Sequence, residues 1–254
     1  MKANPTPSAS TRASVAAQGE TSKKPLSDQA YRILRDRILR GTTVAGEKLK
    51  IDVLQRDLEI SSSPLREALN RLAAENLVVA DERRGFRAAP VSVEDLGDLT
   101  AMRVVVEPGA LAAAMSLGSD EWESNVVAAF YRLQRIERMV SQGESLRDDE
   151  WTTRHKAFHM ALVSGCGSAR LLELCSKLFD QSERYRRLSA SFRRKSRNTP
   201  VEHQKLCEAA LARKPEAVAL LRRHIELTAD HVTAALTKIR GAPLPASKRG
   251  KMKS

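Results

Sequence analysis

From Ser92 to about residue 240 the chain carries one hydrophobic period only, that of the α-helix. A run of this length, with apolar residues returning at i, i+3, i+4 and i+7, has to bury several helices against one another. The helix starts are marked chemically. Ser92 with Asp95, Ser145 with Asp148 and Thr199 with Glu202 each match a capping box, the last with Pro200 at the first helical position. The pattern predicts helices over 93–105, 108–117, 120–141, 146–164, 168–192, 200–212 and 215–240. Composition agrees. Hydrophobic residues make up 42% of the chain but aromatics only 4%, so the core is built from Leu, Val, Ile and Ala, which suits helices.

Before Pro90 the character is different. Ser27 reads as the cap of a helix bearing Tyr31, Leu34, Ile38 and Leu39, which Gly41 ends. A short helix follows around Asp52–Leu58. Next comes SSSPLREALNRLAAENLV, with Ser61, Ser62 and Ser63 as caps, Pro64 in the first turn and Leu65, Leu69 and Leu72 at helical spacing. The stretch VVADERRGFRAAPV then reads as a hairpin with a charged, glycine-containing turn. The fold class is therefore mostly α in two domains: residues 26–90, a winged helix-turn-helix, and 91–240, an all-α bundle. Residues 1–25 and 241–254 are read as disordered basic tails.

Three helices and a hairpin in this order match a winged DNA reader. Such a reader needs a helix end that is small, polar and basic, so that it can enter the major groove. Ser61, Ser62, Ser63 and Arg66 supply it, Arg71 lies beyond, and Arg83, Arg84 and Arg87 stand on the hairpin. The plain alternative is a solvated helix end with ordinary surface arginines. The net charge of +12 does not decide between them, because the two tails carry seven of those charges. Cys166, Cys175 and Cys207 form no CxxC and cannot all pair, which favours a reducing compartment. No apolar stretch is long enough for a membrane span, since VVVEPGALAAAM is broken by Glu107 and Pro108. The N-terminal tail has no apolar core of a secretory signal. A cytoplasmic protein is expected.

The chain has five histidines, and two fall four apart in RHKAFH, residues 154–159. Trp151, His155, Phe158, His159 and Leu162 share one helical stripe, so both histidines face inward. His203 precedes Leu206 and Cys207, and His224 follows Leu220 and Leu221, at the same spacings. Four histidines on three inward faces are a sound start for a metal site. Buried histidines paired with carboxylates are the alternative. An HExxH protease is excluded, because Lys156 and Ala157 fill the intervening places. His231 is expected to be a partly exposed spare.

Residues 26–92, and most specifically the segment SxxPLREALxRLxxENLV, resemble the winged-helix domain of the GntR transcription regulators. The resemblance implies that Ser61, Ser63 and Arg66 read DNA and that Gly85 forms the wing tip. Ser62 stands where the family usually has arginine, and Ala45 where it has proline. DLTAMRVVVEPGALAAAM, HKAFHMALVSG and VEHQKLCEAALARKPEAVALLRRH resemble the FCD effector domain of the FadR-like branch. In that family a D-x-x-x-H pair and two later histidines hold a metal. These positions fall on His155, His159, His203 and His224, with His155 replacing the aspartate. An all-nitrogen set suits Zn²⁺, Ni²⁺ or Cu²⁺ over Mg²⁺ or Ca²⁺, and leaves the ion's charge uncompensated, which attracts a carboxylate. Arg103 matches the family arginine that faces the pocket and can clamp an anion; the simpler reading pairs it with Glu107 on the helix surface. The resemblance thus implies a homodimeric regulator that binds a palindromic double-stranded DNA operator and answers to a small carboxylate effector, with Zn or Ni as the expected metal. Two rival readings are an all-α metal-dependent hydrolase using the histidines and a non-specific DNA packager driven by the tails.

Overall fold

A computed structural model describes residues 25–81, 84–141, 148–189 and 198–241. Nearly all of both tails, together with Arg83 and Ser145, lie outside these residues. Helix α1, Leu26–Leu39, starts directly after Pro25, whose carbonyl accepts from the amides of Asp28 and Gln29. Ser27, expected as the cap, instead sits buried in the first turn. Ala30, Leu34 and Ile38 then pack on Leu65, Leu69 and Leu72 of α3, Ser62–Ala74, with Leu54 of α2, Ile51–Leu58, closing one end. Strands β2, Val78–Asp81, and β3, Gly85–Ala88, form the expected hairpin, paired Val78 to Ala88 and Asp81 to Gly85. A third strand, β1 at Lys48–Leu49, adds to the free edge of β3. Two residues carry no readable period, so β1 was not foreseen.

Beyond Pro90 the described residues are almost all helical. Helix α4, Val93–Leu117, opens on the Ser92 cap, whose hydroxyl accepts from Asp95 N–H as expected. It runs unbroken through Pro108, where two helices were predicted. The missing proline N–H removes one backbone bond. Two things offset it here: Arg103 forks onto Glu107 across the affected turn, and α4 is packed along its length by α7 and α9. Helices α5, Asp120–Ser141, and α6, Asp148–Val163, follow, then a 3₁₀ turn at Ser164–Cys166. Helix α7 spans Ala169–Ser189, α8 Thr199–Leu211 and α9 Glu216–Gly241. The cap of α8 is Asn198, one residue before the predicted Thr199, because its side-chain oxygen accepts from Val201 N–H. Phe158, Leu162, Leu111, Leu133, Leu206 and Leu221 form the apolar centre. Trp122 seals one end, donating its indole N–H to the carbonyls of Ala161 and Leu162. At Gly118 a Cβ would come within 2.5 Å of that indole, so no larger residue fits the α4–α5 turn.

Helix α7 joins the two domains. Its Asp180 receives both Arg35 of α1 and Lys156 of α6, the latter at 2.6 Å. Arg35 also meets Glu75 at 3.2 Å, and Gln181 donates to the Glu75 carbonyl at 3.0 Å.

Candidate metal centre and nucleic-acid interface

His155 and His159 of α6, His203 of α8 and His224 of α9 converge in the bundle, each no more than 6% exposed. One ring nitrogen from each lies within 4.8 Å of those of the others. The placement follows from local rules: i, i+4 spacing stacks two rings on one face of α6, and the α8 and α9 histidines meet them from the inward stripes of a helical hairpin. The rings pack closely, with centroids of His203 and His224 at 4.9 Å and of His155 and His203 at 5.0 Å.

Two carboxylates orient the set from outside. Glu137 of α5, 6% exposed, meets Nδ1 of His203 at 2.8 Å, and Glu202 meets Nδ1 of His224 at 3.0 Å. Each pairing commits Nδ1 to the carboxylate and turns Nε2 toward the cluster. Neither glutamate was foreseen as the partner of a particular histidine. A signal was present: Val126, Phe130, Leu133 and Glu137 share one stripe of α5, so the glutamate rides an inward face. Both ring nitrogens of His155 and Nε2 of His203 are buried without a hydrogen-bond partner among the described residues. Each such orphan costs about 1–3 kcal/mol unless something satisfies it. Burial, then the neighbouring histidines and Arg186, hold His155 well below its ordinary pKa, so the ring is neutral with a lone pair to give. The residues present fit a divalent transition-metal cation.

Arg103 is 6% exposed, not on the helix surface, and its guanidinium clasps Glu107 at 2.6 and 3.0 Å while donating to Ser182 at 2.7 Å. It reaches the histidines through Phe179, whose ring lies 5.6 Å from the Arg103 guanidinium carbon and 5.3 Å from the His155 ring. On the other side Trp151 stacks on His155 at 4.3 Å and carries Arg186 over its far face at 4.4 Å. His231 is half-buried, with Nδ1 2.7 Å from the Leu227 carbonyl of its own helix and outside the cluster. Burial pushes the thiols of Cys175 and Cys207 up to about 12, so both are inert apolar filler.

In the head, Ser61 sits at the N-cap of α3 without capping it, which leaves its hydroxyl available. Ser63 and Arg66 are exposed and Ser62 half-buried at the same end. Arg71 is placed differently. It pairs with Asp28 at 2.5 Å and lies 4.2 Å over the Tyr31 ring, so it knits α3 to α1. Gly85 turns the wing at φ +77°, a left-handed conformation that favours glycine, beside the exposed Arg84, whose guanidinium stands 3.8 Å from the Asp81 carboxylate while its backbone N–H donates to that group at 3.1 Å.

Known proteins resemble this chain along most of its length. Residues 26–87 match the bacterial regulatory proteins of the gntR family, and residues 98–227 match the FCD domain. The HTH-type transcriptional regulator BphR of Paraburkholderia xenovorans is 38% identical over 204 residues, covering 80% of this chain and 83% of its own. The HTH-type transcriptional repressor GlaR of Escherichia coli is 37% identical over 200 residues, covering 77% of this chain and 90% of its own. This chain belongs to the GntR family. It is a DNA-binding transcription regulator with an FCD effector domain, and not an enzyme, so the hydrolase reading falls. A GntR-type regulator from Rhodococcus sp. RHA1 shares the fold of this GntR protein, with a TM-score of 0.65 at 24% identity over 83% of this chain and 98% of its own. No described helix is long and apolar enough to cross a membrane.

Proposed function

We propose that this GntR regulator binds one divalent transition metal, Zn²⁺ or Ni²⁺, through His155, His159, His203 and His224, and that a small carboxylate effector reaches that metal. The observation that carries the reading is the buried four-histidine cluster in which His155 keeps two nitrogens unsatisfied. Four neutral nitrogens bring no charge of their own, Glu137 and Glu202 balance the ion from behind His203 and His224, and Ni²⁺ or five-coordinate Zn²⁺ has a position left for an anionic oxygen. Arg103 stands one ring away. For it to clamp the effector, the incoming carboxylate has to displace Glu107 from its fork.

The head reads an operator through Ser61, Ser62, Ser63 and Arg66, with Arg84 and Gly85 at the wing and Arg71 holding the helix in place. The protein acts as a cytoplasmic homodimer on a pseudo-palindrome. Exposed Ala101, Met102, Val105, Gly109 and Ala112 line one face of α4 and supply a small, apolar surface for a second copy. Effector binding then biases how the two heads are placed.

The test is thermal melting of the full chain with EDTA, Zn²⁺ or Ni²⁺, followed by a screen of organic acids. The metal is expected to stabilise the fold by RT ln(1 + [L]/Kd) and so raise Tm, and His159→Ala to abolish the rise. A metal-free protein whose Tm ignores both ions would reduce the histidines to packing residues. In gel shifts, Arg66→Ala is expected to weaken specific operator binding by about 1–3 kcal/mol. Unchanged operator preference would sink the assignment of α3.

A further inference from the structure

Where the turn between α3 and β2 meets α4 and α7, the molecule holds a cleft of about 440 Å³. That volume lies within the usual range for small-molecule sites. One wall is apolar, from Leu77, Val78 and Ala89, and the other carries Arg184, Tyr185 and Asp95. Arg184 lines this cleft at only 4% exposure. It donates to the Ala89 carbonyl and has no ion-pair partner among the described residues. Asp95, the one acid lining the cleft among the described residues, is taken up by the Tyr185 hydroxyl. The other buried arginines differ: Arg103 faces Glu107 and Arg186 faces Glu183. A guanidinium offers five donors, and a buried charge without a counter-ion is costly. Desolvation outweighs the support Arg184 gets from Tyr185 and Asp95.

We propose that this cleft is a second ligand site, taking a small molecule with an oxyanion group clasped by Arg184 and a short apolar body against Leu77 and Val78. It is separate from the histidine cluster and does not depend on the reading of that cluster. Because its walls come from both domains, a bound anion fastens the head to the bundle.

The experiment melts the full chain with EDTA in inorganic phosphate, in butyrate and in chloride at equal ionic strength. Phosphate or butyrate is expected to raise Tm saturably above chloride, and whichever acts names the oxyanion. His159→Ala keeps the rise. Arg184→Gln weakens the midpoint by about tenfold or more, as loss of a charge-assisted pair requires. Val79→Trp abolishes it, since Val79 is 47% exposed on the cleft wall and a larger ring fills the space without opening the core. If Arg184→Gln does not fold, Val79→Trp decides. Equal melting in all three anions, or a rise that survives Val79→Trp, overturns the proposal.

Discussion

The two domains bury different things. The head closes on Ala30, Leu34, Ile38, Leu65, Leu69 and Leu72, all at 1% exposure or less. The bundle buries Arg103, Glu107, Glu137, Glu183, Arg186 and four histidines alongside its leucines. An apolar core is stable on its own terms, whereas a polar interior is only as stable as its pairings are complete. The head is built to hold one shape. The bundle is built so that its stability rests on those pairings.

The largest effect that would sharpen this contrast lies in the bundle. Glu107→Ala strands a buried guanidinium and is expected to destabilise by about 3–5 kcal/mol in denaturant unfolding. Pairing Arg103→Met with Glu107→Leu should recover most of that loss. If the double variant is as weak as the single one, the pair is a packing element and the contrast is overstated. Next comes Leu69→Ala in the head, expected to cost about 2–5 kcal/mol with the same loss in Zn²⁺ and in EDTA. A loss that changes with metal would show that the two cores share one cooperative unit. The smallest effect is Glu137→Gln, which should weaken Zn²⁺ binding by about 10–100-fold through the orientation of His203, measured by metal titration. Unaltered affinity would assign Glu137 to stability alone.

Much of this was legible because helical periodicity reports which face is buried. It put His155 and His159 on one stripe, and His203 and His224 on two others, before any contact was known. What stayed hidden depends on distant partners. Arg71 reads as a free cation until Asp28, 43 residues away, is brought beside it. Glu137 looks like a surface acid unless the stripe from Val126 is followed to its end. Pro108 follows the local rule for a helix stop, and only the packing of α4 overrules it. The Asn198 cap differs from the predicted one by a single residue, within the fraying expected at helix ends.

Asp180 is 7% exposed and has two cationic partners, Arg35 from the reading head and Lys156 from the helix that carries His155 and His159. This bears on how such regulators can be recombined. A graft of this head onto another sensor would leave Arg35 facing whatever that sensor carries at the Asp180 position, and a graft of the sensor alone would leave Asp180 with half its counter-charge. The head and bundle are therefore not interchangeable parts. A working chimera has to move the seam as a unit, with Arg35 and Glu75 on one side and Asp180, Gln181 and Lys156 on the other.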